Sequence, residues 1–427
     1  PGVRSERGRA KGIPSGGVRS ERSKIKSAKI RVIRVISVLF NFPPNPLHST
    51  LYTKPLAVSS LCRKFATQNM KILITGGAGF IGSHMAEAFL TQGWSVTVLD
   101  NFSSGRRENL VHISGDIEII EGDIRDTAAV ARAMSGADGV IHLAALASVP
   151  ASFKNPVETY EVNFIGTENI LAAALQQKVK HVTFASSSAV YGDTELLPIT
   201  EETPDNPLSP YGLSKLLGEK LCRFYNTAFG LRVTVFRFFN VYGPRQNPFS
   251  EYSAVIPKFL RIIKEGGTPT IFGNGEQTRD FIYISDLVKA HMLVFNGIET
   301  AESAKDAKRS LNTTVRLRRN TEITEGVIRD EFSPQPSALS KKNNTLYLIP
   351  NTYNLGSGTA YSLNQLVQVM SECLGREVNP IHAEARSGDI LHSFCKIDKI
   401  NAELTFKPEV TINSGIAKMI NYYNLQG

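Results

Sequence analysis

The chain has 427 residues, 42% of them hydrophobic, enough for more than one domain and a sizeable buried core. Its formal net charge of +9 would suit an anionic partner such as nucleic acid, but residues 1–69 alone hold 14 Lys and Arg against only Glu6 and Glu21. The remaining residues hold 34 basic and 37 acidic side chains, so the body is near neutral and gives no reason to expect nucleic-acid binding.

The first methionine is Met70, and it opens the first convincing strand, MKILIT. Residues 1–69 therefore read as a basic N-terminal extension, either non-native upstream sequence or a targeting segment. Their acid-poor, Arg- and Ser-containing composition loosely fits an organellar transit peptide. The apolar stretch Ile30–Phe42 is interrupted by Arg31 and Arg34, too short and too charged to cross a bilayer. No other segment does better, so no membrane partner is expected and the location expected is cytoplasmic. Cys62, Cys222, Cys373 and Cys395 lie far apart without metal-ligand spacing, which suggests neither a disulfide framework nor a metal site.

From Met70 the pattern alternates. Lys71–Thr75 is a short apolar strand, followed by glycines and a helix over Phe80–Gln92. Further strands are expected at Ser95–Leu99, Ile117–Ile120, Gly139–Leu143, Lys180–Ala185 and Arg232–Phe236. The helices between them are Thr127–Met134, Pro156–Gln176 and Leu213–Phe229. Such alternation predicts an α/β fold, a doubly wound parallel sheet with right-handed crossovers and helices on both faces. After about Asn240 the alternation breaks. Val241–Asn247 reads as a loop, Val255–Lys264 and Leu287–Phe295 as helices, Phe272–Gln277 as turns and Ser362–Leu374 as an amphipathic helix. Polar residues 299–346 read as an inserted, disordered surface loop. The organisation expected is a dinucleotide-binding domain over 70–247 and a smaller, interleaved substrate-binding region over 248–427.

The first strand runs into Thr75-Gly76-Gly77-Ala78-Gly79-Phe80-Ile81-Gly82. Gly76 permits a tight turn, Gly79 lets backbone N–H groups approach a pyrophosphate at the helix N-terminus, and Gly82 lets helix and strand pack closely. A lone glycine triplet is weak evidence, but here a strand precedes it, a helix follows, and Asp100 closes the next strand. The Asp100 carboxylate can accept bonds from both ribose hydroxyls and would repel a 2′-phosphate, which favours NAD over NADP. Asp123, in GDIRD, is placed to bond the adenine, although a turn aspartate is the plainer alternative. Leu143, Ala144 and Ala145 follow the fourth strand and are small enough to pack beside the cofactor. Phe80, Ile81, Asn101 and Ile124, adjoining these positions, complete the expected NAD contacts.

Tyr211-Gly212-Leu213-Ser214-Lys215 places a phenol and an ammonium four residues apart, on one face of a helix. A nearby cation stabilises a phenolate and lowers its pKa, so the pair can take a proton from a sugar hydroxyl while NAD takes the hydride. The fifth strand ends in Ser186-Ser187-Ser188, at the sheet edge where ligands bind in open α/β folds. Any one of these serines could relay that proton or simply cap the strand.

Together TGGAGFIGSH, GDIRD, HLAA, SSSAVYG, YGLSK, RFFNVYGPRQ, TRDFIYISDL, YNLGSG and RSGDI resemble the sugar-nucleotide-modifying branch of the extended short-chain dehydrogenases. The likeness is greatest to UDP-glucose and UDP-N-acetylglucosamine 4-epimerases and covers Met70–Gly427 except the insertion. It implies Ser187 as the catalytic serine, four residues before Tyr191, with Tyr211 as the base and Lys215 as its partner. It implies Asn163 as a residue supporting the site. For the substrate it implies Asn240 and Arg279 at the diphosphate, and Arg386 and Asp389 as uridine-diphosphate contacts; a guanidinium suits a diphosphate by its bidentate geometry.

Similar 4,6-dehydratases carry an Asp-Glu pair after the catalytic residue, and decarboxylases a Glu. Here those positions are Ser188 and Ala189, which points to 4-epimerisation. Ser393, seven positions after Arg386, resembles the small residue that leaves room for an N-acetyl group, so UDP-GlcNAc/GalNAc is expected to fit beside UDP-Glc/Gal. SSSAVYG also resembles UDP-glucuronate 4-epimerases, so the sugar stays open, as does a non-catalytic nucleotide-sugar-binding protein of this fold. Ala147 stands where some relatives have a lysine that contacts NAD. The resemblance further implies a homodimer formed through Pro156–Gln176 and Leu213–Phe229.

Overall fold

The computed structural model describes residues 70–248, 254–297, 351–385 and 390–425. The expected N-terminal extension and the insertion lie outside the described residues, as does Cys62. Strands are numbered β1–β13 in chain order.

Seven parallel strands form the main sheet, in the order β10-β6-β5-β4-β1-β2-β3. They are β1 (Lys71–Thr75), β2 (Ser95–Asp100), β3 (Ile117–Glu121), β4 (Gly139–His142), β5 (His181–Ser187), β6 (Val233–Phe238) and β10 (Asn351–Leu355). β1, β4, β5 and β6 read as near-continuous apolar runs because both sheet faces are covered. Alternate side chains serve opposite layers: Ile72 and Ile74 join a core with Met85, Phe89, Trp94 and Phe295, whereas Leu73 joins Val140, Ile170, Phe184 and Cys222. The strand order reverses between β1 and β4, and this is the crevice where doubly wound sheets take their ligands.

The helices have legible ends. In Pro210–Phe229 the Ser209 side chain accepts from the Gly212 N–H, Pro210 occupies the first turn, and Gly230 closes the helix at φ +73. Leu363–Leu374 begins with a reciprocal capping box of Ser362 and Gln365. The segment read as one helix over Pro156–Gln176 is helical throughout but contains a π turn at Glu161–Ile165, centred on Asn163.

Beside the main sheet lies a small one in the order β11-β9-β13, with β7 also pairing β9. Its strands are β7 (Asn240–Tyr242), β9 (Thr278–Tyr283), β11 (Ala360–Ser362) and β13 (His392–Ser393). The loop expected from Val241 is thus corrected: residues 240–242 run parallel to β9, with Asn240 opposite Phe281. Three residues are too few to show a strand period. A further two-stranded sheet pairs β8 (Thr270–Phe272) with β12 (Ile381–Ala383). Helices Val149–Lys154, Asp398–Leu404 and Ile412–Leu425 were not expected from the sequence pattern. No helix among the described residues is long and apolar enough to cross a membrane.

Candidate active site

The C-terminal ends of β1, β2, β4 and β5 converge on the crevice. Gly76 adopts φ +70 and its N–H donates to the Leu99 carbonyl at 2.8 Å, closing the turn after β1. A side chain on Gly82 would place Cβ 2.3 Å from the Gly76 carbonyl oxygen, so only glycine lets this helix meet the turn. The N-terminus of Phe80–Thr91 carries no side-chain cap and no acidic residue in its first turn, which leaves its N–H groups and positive dipole end for an anion.

Asp100 is buried, and its carboxylate accepts from Ala78 N–H at 2.9 Å and Phe102 N–H at 2.8 Å. Burial raises its pKa and these two bonds lower it. Each oxygen keeps a further lone pair for a ribose hydroxyl. Asp123 follows β3, where its carboxylate is already engaged. Arg125 holds both its oxygens, Asn101 Nδ2 donates to it at 3.0 Å, and its pKa is pushed down to about 2, chiefly by Arg125. A contact to adenine must therefore compete with an ion pair already made. The Ile124 side chain turns into the core and packs where a Cβ on Gly166 would fall.

Leu143, Ala144 and Ala145 follow β4, and a buried relay fixes their path. Ala144 N–H donates to Thr75 Oγ1, Thr75 meets His142 Nδ1 at 2.7 Å, and His142 Nε2 meets Thr167 at 2.9 Å. Thr167 in turn donates to the Asn163 carbonyl, so His142 donates through Nε2 and accepts through Nδ1. Burial pushes the His142 pKa down to about 3, consistent with that neutral form. The Asn163 side chain accepts from Leu146 N–H at 2.8 Å and donates to Leu146 O and to Ser214 Oγ. Ser214 donates to the Tyr211 carbonyl. The π turn thus aims Asn163 at both the β4 loop and the helix bearing Tyr211.

Tyr211 lies half-buried in the first turn of Pro210–Phe229, with the Ser187 side chain at the end of β5 close enough to perturb its hydroxyl. Ser187 Oγ also accepts from Ala189 N–H at 3.2 Å. Lys215 Nζ donates to the Ala185 carbonyl at 2.8 Å and lies 5.9 Å from the Tyr211 ring centre. Burial lowers the Lys215 pKa to about 8. Burial also raises the Tyr211 pKa, and the nearby Ser187 hydroxyl partly offsets this. The lysine is near the phenol, as the spacing predicts, but its hydrogen bond goes to Ala185, so its effect on the phenol is that of a nearby charge.

Asn240, Arg279 and Ser393 meet on the small sheet. Arg279 stands opposite Ser393 in the β9–β13 register, and Asn240 Nδ2 donates to the Asp280 carbonyl at 3.0 Å. Asn240, Lys258, Phe272, Gln277 and Arg279 line a cavity of about 260 Å³. Arg386 and Asp389 lie outside the described residues.

A family model described as the NAD dependent epimerase/dehydratase family matches residues 72–307. The chain belongs to this family. It is similar to UDP-glucose 4-epimerase of Corynebacterium glutamicum, 31% identical over 80% of this chain and 92% of that protein. Among solved structures, UDP-glucose 4-epimerase of Thermotoga maritima with UDP-glucose superposes with TM-score 0.68 at 30% identity, covering 84% of this chain and 99% of that one. UDP-N-acetylglucosamine 4-epimerase of Methanobrevibacter ruminantium with UDP-N-acetylmuramic acid gives TM-score 0.69 at 31% identity, covering 84% and 99%.

The cofactor of this family is NAD, and the residues present fit it: the glycine cradle closes on added Cβ atoms, and an acid ends β2. The family member also carries polar groups behind its crevice that sequence reading missed. Glu219, one turn beyond Lys215, accepts from Ser186 Oγ at 2.5 Å and pairs with buried Arg237 at 2.6 and 2.9 Å. The spacing Tyr211–Lys215–Glu219 puts all three on one helix face, a signal the sequence did offer. Asp280, fully buried beside Arg279, accepts from Ser357 and Gly358 N–H groups and pins the YNLGSG loop to β9.

Proposed function

We propose that this family member is a UDP-hexose 4-epimerase, acting on UDP-Glc/Gal and, through the space beside Ser393, on UDP-GlcNAc/GalNAc. The reading is supported by the Ser187–Tyr211–Lys215 set at the C-terminal end of β5, in the sheet that carries the glycine turn, and by Ser188 and Ala189, which offer no carboxylate for elimination. Residues 70–247 hold the cofactor, and 248–427 supply most substrate contacts.

In this mechanism Asn240, Arg279, Arg386 and Asp389 hold the uridine diphosphate. Gly76, Gly79, Phe80, Ile81, Gly82, Asp100, Asn101, Leu143, Ala144 and Ala145 hold NAD, which supplies a reversible hydride acceptor at the sugar C4. Tyr211 takes the proton of the C4 hydroxyl, Ser187 holds the same oxygen, and the Lys215 cation stabilises the phenolate. Inversion requires the 4-ketone to turn its other face to the bound cofactor, so that the hydride would return there while Tyr211 gives its proton back to the oxygen, with no net redox change. A dehydratase would instead need an acid and base at 188 and 189 to expel water. A second reading, UDP-glucuronate 4-epimerase, rests on the SSSAVYG segment.

A homodimer is part of this proposal. The helices over residues 149–229 leave Phe153 (61% exposed), Val157 (69%), Ile165, Phe224 and Phe229 in solvent, an apolar face that a second copy would cover. The deciding assay incubates the NAD-loaded protein with UDP-glucose, UDP-N-acetylglucosamine and UDP-glucuronate and separates the epimers. Interconversion of the first pair supports the reading. Turnover of UDP-glucuronate alone, or release of water or CO2, overturns it.

A further inference from the structure

A second cavity, of about 740 Å³, lies between the loop after β2 and the C-terminal helices. It shares no lining residue with the cavity holding Asn240 and Arg279. It also lacks the glycine turn and Asp100, so neither the proposed sugar-nucleotide contacts nor the NAD contacts explain it. Its size falls in the range of small-ligand sites.

Arg106, Arg245, Arg261 and Lys264 line this cavity against Glu108 and Glu265, so cations are in excess. Arg245 is the central group. Its side chain is nine-tenths buried, and one guanidinium nitrogen, Nη2, bonds Glu87 and His112. The other, Nη1, is buried without a hydrogen-bond partner among the described residues. Nη1 itself has almost no accessible surface, so Arg245 offers the cavity its positive charge, for which an anionic oxygen is the natural partner. Arg245 is held at φ +66, a backbone that non-glycine residues seldom adopt and that tends to mark binding sites. Arg106 and Lys264 also line the cavity and make no ion pair among the described residues; Lys264 donates instead to the Tyr423 carbonyl at 2.7 Å.

Beside these cations the lining is aromatic. Tyr422 and Tyr423 form an edge-to-face pair with ring centres 5.5 Å apart, and Tyr423 is anchored by its hydroxyl to the Gln246 carbonyl. A flat ring can pack against such a pair.

We propose that this cavity is a second ligand site that takes a nucleoside phosphate, with the phosphates at Arg245 and Arg106 and the base against Tyr422 and Tyr423. The ligand makes no contact with the reacting centre. Two bonds nevertheless tie the rim to the back of the glycine turn: Arg106 N–H and Asn109 Nδ2 both donate to the Ala78 carbonyl, at 2.9 and 2.8 Å.

The test uses the full chain loaded with NAD and saturated with UDP, so that the cofactor site and the proposed substrate site are filled. Each of the four ribonucleoside triphosphates is then titrated by equilibrium dialysis. The expected result is one further equivalent of at least one triphosphate, bound at least tenfold more weakly by Arg106→Ala and by Arg245→Gln. The Arg106 side chain is exposed and makes no ion pair, so Arg106→Ala keeps the fold and decides the matter if loss of the Glu87 contact unfolds Arg245→Gln. The proposal is overturned if none of the four binds beyond the filled sites at millimolar concentration, or if Arg106→Ala binds as the parent does.

Discussion

Replacing Lys215 by methionine keeps the length of the side chain and removes its charge. Lys215 Nζ lies 5.9 Å from the Tyr211 ring centre and does not contact the phenol. At an effective dielectric constant of about 20, a unit charge at that distance stabilises a phenolate by about 2.8 kcal/mol. That is roughly two pKa units, or about 100-fold in phenolate at fixed pH. The lysine holds its proton below a pKa lowered to about 8 and loses it as pH rises through that value. The cationic advantage is therefore present at pH 7 and fades above pH 8. Lys215→Met should turn over UDP-hexose about 100-fold more slowly at pH 7, with the ratio to the parent shrinking toward a few-fold at pH 10. Steady-state epimerisation rates across pH 6–10 measure this, with NAD content checked after denaturation. A loss under threefold at pH 7, or a ratio independent of pH, would refute the field effect.

Three other outcomes follow from the same geometry. Tyr211→Phe removes the proton acceptor and should lower kcat by about 10²–10⁴ while leaving UDP binding within twofold of the parent; comparable turnover would remove Tyr211 as base. Glu219→Ala leaves Arg237 buried without its partner and should cost about 3–5 kcal/mol in urea unfolding, whereas Glu219→Leu with Arg237→Met should recover most of it. Ser393→Tyr fills the space beside Arg279 and should lower kcat/KM for UDP-GlcNAc by about 100-fold relative to UDP-Glc. An equal effect on both sugars would show that Ser393 does not face the C2 substituent.

Much of the sheet was legible because its chemistry is local. Buried parallel strands are apolar without alternation, and glycines, Pro210, Ser209 and Gly230 mark element ends by their backbone geometry. Strand β7 and the helix Asp398–Leu404 were not, because three residues carry no period and a helix of seven residues spans barely two turns. At the site, Tyr211, Lys215 and the glycine turn follow from spacing. What spacing cannot give is competition for a side chain. Asp123 reads as a free carboxylate in sequence, yet Arg125, two residues on, occupies it. Likewise the Glu219–Arg237 pair and the His142 relay join residues 18 to 67 positions apart, and only the folded sheet brings them together.

The most direct measurement follows deuterium in UDP-glucose labelled at C4, incubated with the NAD-loaded protein in ordinary water. Inversion with Tyr211 as base predicts UDP-galactose that keeps the label at C4, with no such product from Tyr211→Phe. Washout of the label, a dehydrated product, or galactose formed equally by the phenylalanine variant would contradict it.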